Sequence, residues 1–284
     1  MAECIIAGGT ESMSLVPTAG WKTVPSYSIA KDEPDYYLSM GLTAEAVANE
    51  FKVSRADQDA FALASHQKAK NAIQNGYFKK GILPIDITET YINEKNKRAT
   101  RQYTIDTDDG VRADTTLEAL AKLKPAFAVN GSVTAGNSSQ TSDGASFVMV
   151  MSEKMVNALG LKPIARLVNC ASAGVHPRIM GMGPVVAIPK VLKQAGMNLG
   201  QIDLIELNEA FASQSIAVIR ELELDTNKVN INGGAIALGH PLGCTGSKLT
   251  VQIINDLERL NQKYGIVTAC VGGGQGIAGI IERL

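Results

Sequence analysis

The chain has 284 residues, of which 45% are hydrophobic and 19% charged. That is enough apolar content to bury a core and it excludes a disordered tail. Lys and Arg number 27 against 28 Asp and Glu, a net charge of −1 that supplies no basic field for a nucleic-acid partner. No apolar run approaches the ~20 residues of a membrane-spanning helix, and no charged segment leads into the apolar stretch of a secretory signal. Neither membrane attachment nor export is expected. Cys4, Cys170, Cys244 and Cys270 are widely spaced and match no CxxC pattern. They read as reduced thiols of a cytoplasmic protein, with no metal site.

In chain order, residues 2–8 have the texture of a buried strand that runs into a glycine turn. Residues 10–40, with Pro17, Pro25 and Pro34, look irregular. Thr43 to Phe51 is Ala-rich and helical. Ser54 then caps a second helix, with Asp57 three residues on, and Gly76 closes it. Residues 82–112 carry charged and β-branched residues without strong periodicity, and Thr116 to Lys124 is a short helix stopped by Pro125. Val133-Thr134-Ala135 reads as a strand end and Phe147 to Met151 as a strand.

From about residue 160 strands and helices alternate. Strands are expected at Lys162–Ala171, Leu204–Leu207, Val229–Ile231, Gly265–Val271 and Ile277–Ile281. Helices are expected at Val185–Ala195, Glu209–Leu222 and Ser247–Leu260, the last with Leu249, Ile253, Leu257 and Leu260 on one face. The alternation indicates a layered α/β domain. Val133-Thr134-Ala135 recurs as Val267-Thr268-Ala269, each followed by a small-residue turn and an apolar strand, which suggests a duplicated unit.

Three motifs fall where strands are expected to end, the usual place of ligand sites in α/β sheets. Asn208-Glu209-Ala210-Phe211 follows Leu204–Leu207; Asn208 there is either a helix cap or an amide that holds a water or carbonyl. The glycine-rich loop Asn232–Gly246 carries His240 between Gly239 and Pro241, either structural or a proton-transfer group. Cys270-Val271-Gly272-Gly273-Gly274 sets a thiol at a strand end beside free backbone N–H groups. It is either a core cysteine or an accessible thiol of lowered pKa next to an oxyanion-binding turn.

Together these motifs closely resemble those of the thiolase family. Ala7-Gly8-Gly9-Thr10-Glu11-Ser12-Met13-Ser14, Met40-Gly41-Leu42-Thr43-Ala44-Glu45 and Thr134-Ala135-Gly136-Asn137 extend the resemblance over the whole chain. The resemblance implies a thiolase fold of layered, duplicated αβαβα domains, and acyl transfer between coenzyme A thioesters with no permanently bound cofactor. It also implies roles. Cys270 removes or returns the α-proton of the acetyl unit. His240 activates the nucleophilic thiol and helps stabilise the thioester oxyanion, and Asn208 holds the water that completes that oxyanion hole. The Gly272 N–H belongs to a second oxyanion hole. For coenzyme A the matching positions are Arg112 near the nucleotide and Ala135 and Ser139 along the pantetheine, although Arg112 also reads as a solvated loop cation and Ser139 as a turn residue. His66 and His176 match no family position and read as an exposed helix residue and a loop residue. Ser39 departs from the biosynthetic branch, which carries a His before the Met matched by Met40, and so leans toward a degradative 3-ketoacyl-CoA thiolase.

Family members place their nucleophilic cysteine upstream of the strand matched by Cys4–Ala7. Cys4 lies inside that strand, with no glycine turn or helix N-terminus to activate it. The expectation is therefore an intact C-terminal half, residues 153–284, and an incomplete N-terminal half made of residues 1–12 and 131–152, with a loop domain at 13–130. Such a chain is expected to be inactive alone. It would be one piece of a split enzyme, a truncated gene product, or a non-catalytic coenzyme A-binding or subunit-interaction remnant. The partners implied are acyl-CoA and either a second copy, as dimer or tetramer, or a separate N-terminal piece.

Overall fold

The computed structural model describes residues 2–18 and 20–284. The first strand, β1 (Cys4–Ser12), is followed by two short turns of helix in the segment that reads as irregular: α1 (Tyr27–Asp32) and a 3₁₀ turn at Pro34–Tyr37. Then come α2 (Met40–Glu50) and α3 (Arg55–Gln74). The predicted cap of α3 is complete, because Ser54 Oγ accepts from the Asp57 N–H at 3.1 Å while the Asp57 carboxylate accepts from the Ser54 N–H at 3.4 Å. Beyond α3, Gly76 takes φ +70°, where a Cβ is disfavoured.

Residues 82–112, which carry no strong period, contain a hairpin of β2 (Ile85–Ile92) and β3 (Arg98–Ile105). Nearly every position of both strands is exposed, so neither face imposes an apolar alternation. Polar cross-strand contacts hold it instead. Arg101 donates to Glu89 at 2.7 Å and stacks 5.4 and 5.3 Å from the ring centres of Tyr91 and Tyr103. A short α4 (Leu117–Ala121) is capped by Thr116, and β4 (Asp143–Met151) returns to pair antiparallel with β1, Cys4 opposite Met151. The ribbon exposes Ile6 (68%), Phe147 (56%) and Met149 (61%).

The second half runs α5 (Glu153–Ala158), β5 (Ala165–Gly174), α6 (Gly183–Ala195), β6 (Leu204–Leu207), α7 (Ala212–Glu221), α8 (Ala235–Leu238), α9 (Thr245–Arg259), β7 (Tyr264–Val271) and β8 (Gln275–Arg283). The sheet order is β5-β8-β7-β6, with β6 parallel to β7 and the other pairs antiparallel. Strand alternation divides the core into two faces. Ile205, Leu207, Ile266 and Ile280 pack with Ile188 and Val191 of α6 and Ile216 and Val218 of α7, to which Val47 of α2 and Ala62 of α3 add. On the other face Leu204 and Ile281 meet Ile253 and Leu257 of α9. α9 in turn touches the β1–β4 ribbon, where Ser247 Oγ donates to the Ser146 carbonyl at 2.8 Å.

Two expectations are corrected. Val229–Ile231 makes only one parallel bridge, Val229 to Ile205, instead of a strand. The two Val-Thr-Ala triplets are not structurally equivalent, because Val267–Ala269 lies in β7 while Val133–Ala135 lies in a loop, although an apolar strand follows each (β4 and β8). In the loop the Asn137 side chain accepts from the Thr134 N–H at 2.8 Å, a local turn that competes with strand pairing.

Ile266 is 0% exposed on the face of β7 that packs with α6. Ile266→Ala is expected to cost about 2–5 kcal/mol in urea unfolding. Ile85→Ala, in the exposed hairpin, is expected to stay within about 0.5 kcal/mol of the parent.

Candidate active site

The site forms where β6 and β7 end side by side. Leu207 pairs with Thr268, and the Asn208 N–H donates to the Thr268 carbonyl at 3.0 Å, two residues before Cys270. α7 begins only at Ala212, with Phe211 as its N-cap, so Asn208 is not a helix cap and its side chain is free for other work. Its Nδ2 lies 3.3 Å from His240 Nε2, while its Oδ1 is buried without a partner. Glu209 fastens the turn from below: its carboxylate accepts from Ser65 Oγ at 2.6 Å, Asn230 Nδ2 at 2.8 Å and the Ile236 N–H at 3.3 Å. Burial pushes that carboxyl above its usual range, and those hydrogen bonds oppose the shift.

His240 follows α8, not a strand, because residues 229–231 supply only the single bridge. Gly239 sits at φ +84°, and a Cβ there would overlap Ser142 Oγ. Ser142 Oγ in turn accepts from the His240 N–H at 3.1 Å, and Gln140 Nε2 donates to the Ala237 carbonyl at 2.9 Å. The ring is oriented by Thr245, whose Oγ1 lies 2.7 Å from Nδ1 and donates to the Pro241 carbonyl at 2.9 Å. With its own proton committed, Oγ1 accepts from Nδ1–H, which leaves the lone pair on Nε2 facing the Asn208 amide. Burial, and then the Lys248 charge, lower the His240 pKa to about 4.

Cys270 is the penultimate residue of β7. The reading of an accessible thiol of lowered pKa is overturned: Cys270 is buried against Met180, Ala210 and Phe211, and burial pushes its thiol up to about 12. Contact with Ala210 and Phe211 sets it on the same turn that carries Asn208. The turn Gly272–Gly274 follows, with Met40 Sδ 3.7 Å from where a Cβ of Gly272 would stand.

Arg112 and Ala135 line one cavity of about 110 Å³, together with His66, Gly136 and Ser138. Ser139 lies next in the chain, and its N–H donates to the Ala210 carbonyl at 2.9 Å. Residues 135–142 thus run from this cavity past the Asn208 turn to His240. His66 is buried, not exposed as its helix position suggests, and its Nδ1 accepts from the Arg112 N–H at 3.1 Å. His176 caps the 3₁₀ turn Pro177–Met182. Sequence reasoning gave no role to Ser142 and Thr245 and placed His66 at the surface, since each acts through a tertiary contact. Among the described residues no group of three or more His, Cys, Asp or Glu is placed to hold a metal ion, and no helix is long and apolar enough to cross a membrane.

The family profile described as thiolase, N-terminal domain, matches residues 1–154, and that described as thiolase, C-terminal domain, matches residues 161–283. The chain belongs to the thiolase family. It is 56% identical to a 3-ketoacyl-CoA thiolase of Bacillus subtilis (strain 168), covering 98% of this chain and 71% of that one. It is 48% identical to an acetyl-CoA acetyltransferase of Pseudomonas aeruginosa, covering 99% and 73%. Among solved structures, human mitochondrial 3-ketoacyl-CoA thiolase in complex with CoA superposes with a TM-score of 0.87 at 42% identity, over 100% of this chain and 71% of that one. The thiolase fold and an acyltransferase function follow at that level. The expectation of an incomplete N-terminal half receives no support from the N-terminal profile, which matches residues 1–154.

With three histidines in the chain, the His240 ring proton is resolvable by NMR after assignment with His240→Gln. Its titration midpoint is expected near 4, so the ring is neutral above about pH 5. A midpoint near the ordinary ~6.5 would contradict the packing described.

Proposed function

We propose that this thiolase exchanges acyl groups between coenzyme A thioesters, by thiolytic cleavage of a 3-ketoacyl-CoA or the reverse condensation. The observation that carries this reading is the contact of Asn208 Nδ2 with His240 Nε2 on the turn that also packs against Cys270. Once the His240 Nε2 has taken the proton of an attacking thiol, its N–H faces the site, and a thioester oxygen set between it and Asn208, through a water, gains hydrogen bonds as it takes up negative charge, while the Gly272 N–H serves the enolate oxygen. In cleavage, a thiol gives its proton to His240 and attacks the 3-keto carbon, whose oxygen takes the charge; as that charge collapses the bond between carbons 2 and 3 breaks, and the acetyl-CoA enolate takes its proton from the Cys270 thiol, leaving a thiolate. Coenzyme A then gives its thiol proton to the Cys270 thiolate and displaces the acyl group, and His240 returns its proton to the departing thiol, so both groups end as they began. A thiol whose pKa is raised to about 12 suits donation to carbon and, once ionised, removal of an α-proton in the reverse direction.

Arg112, Ala135 and Ser139 are assigned to coenzyme A, the cation at the nucleotide end and the other two along the pantetheine leading to Cys270. No permanently bound cofactor enters this scheme. Ser39, and the identity to the Bacillus 3-ketoacyl-CoA thiolase, favour the degradative direction. A homo-oligomer is the assembly we assign; a related peroxisomal thiolase of Saccharomyces cerevisiae, 40% identical, is described as dimeric.

We further infer that the acyl-carrying nucleophile is none of the four cysteines of this chain. Cys170, Cys244 and Cys270 all have thiols pushed up by burial, the reverse of activation. Cys4 is exposed on β1, away from the Asn208–His240 contact.

Calorimetry and intact-mass spectrometry on the 284-residue chain test both statements. Coenzyme A is expected to bind, Arg112→Ala is expected to weaken it roughly tenfold by loss of a charged hydrogen bond, and acetyl-CoA is expected to leave the protein mass unchanged. Failure to bind coenzyme A would overturn the function proposed. A stoichiometric acetyl adduct would overturn the exclusion of the four cysteines.

A further inference from the structure

Lys248 lies on α9, facing the end of α8. Its Nζ donates to the Leu238 carbonyl at 3.3 Å and to the Gly239 carbonyl at 3.0 Å. These belong to the last residue of α8 and to the left-handed residue that turns the chain into His240. The carbonyls at a helix C-terminus have no intrahelical donor, and leaving them unpaired away from water is costly. A helix of four residues is too short to hold its own end in place. The amine therefore supplies what α8 lacks, at the residue next to His240.

We propose that Lys248 is the positioning residue of this site: by clamping the Leu238 and Gly239 carbonyls it fixes the aim of His240 at Asn208. The proposal rests on the reading of His240 as the base of the acyl-transfer site. Lys248 also acts through its charge, which is the second cause, after burial, of the lowered His240 pKa. The groups that face Lys248 are Asp108, from the segment that leads to Arg112, Glu206 on β6, Glu209 after β6, and Cys244 at the start of α9. Burial lowers the ammonium's pKa while these groups raise it, Asp108 foremost.

The test is the NMR titration of His240 in the full chain carrying Lys248→Gln, Lys248→Met and Lys248→Arg, with the Gly239 amide resonance recorded alongside. In Gln and Met the His240 midpoint is expected to rise by about one unit, because a like charge is removed. Arg keeps the charge and two or more donors, and its midpoint is expected within a few tenths of the parent. Gln keeps one neutral donor, so the Gly239 resonance is expected to stay closer to the parent in Gln than in Met. If Met does not fold, the Gln and Arg pair decides. An unchanged midpoint in Gln overturns the proposal, as does an Arg variant that moves as far as Gln. The readout requires no turnover, so it is separate from failure of the catalytic reading, which appears as exchange of the acetyl-CoA methyl protons insensitive to His240→Ala.

Discussion

Parallel strands cannot be joined by a tight turn; they need a crossover that leaves the sheet and returns. The pairing of β6 with β7, from Leu204 opposite Gly265 to Leu207 opposite Thr268, is the constraint from which the site follows. It brings Asn208 and Cys270 to the same end of the sheet. It also makes the connection between them travel through α7, α8 and α9, and His240 lies on that connection. The apolar faces of β6 and β7, packed on α6 and α7 on one side and α9 on the other, hold the register.

Burial then sets the chemistry. The same loss of water lowers the pKa of the imidazole to about 4 and raises that of the thiol to about 12, because in each case the neutral form is favoured. At neutral pH the imidazole and the thiol are thus both neutral, and the ring proton is held at Nδ1 by Thr245. In the proposed reaction, two groups pushed apart in this way divide the labour of moving protons in opposite directions. Glu209 and Lys248 stand one layer behind, tying α3, α8 and α9 to the two loops that carry Asn208 and His240.

The legible parts of this structure are those written in local chemistry. Ser54 and Asp57 announce the start of α3, Gly76 its end, and the apolar run Leu204–Leu207 a strand of those same bounds. The Asn208, His240 and Cys270 motifs stood out because glycine, amide, imidazole and thiol occur at element ends. What was not legible depends on partners distant in the chain. The β2–β3 hairpin has no buried face to impress a period on its sequence. Val133-Thr134-Ala135 looks like a strand until Asn137 turns it. His66 looks exposed until Arg112, far along the chain, brings its N–H to the ring. Cys270 looks accessible until Met180 and Phe211 cover it.

The central claim is that Cys270, with the Asn208–His240 pair and the Gly272 turn, moves a proton at the α-carbon of a thioester. Exchange of the acetyl-CoA methyl protons for deuterium in D₂O, followed by proton NMR, isolates that step from acyl transfer. The account predicts protein-dependent loss of the methyl signal and a slowing of about 10² to 10⁴-fold in Cys270→Ala. Exchange that proceeds equally fast in Cys270→Ala would contradict it.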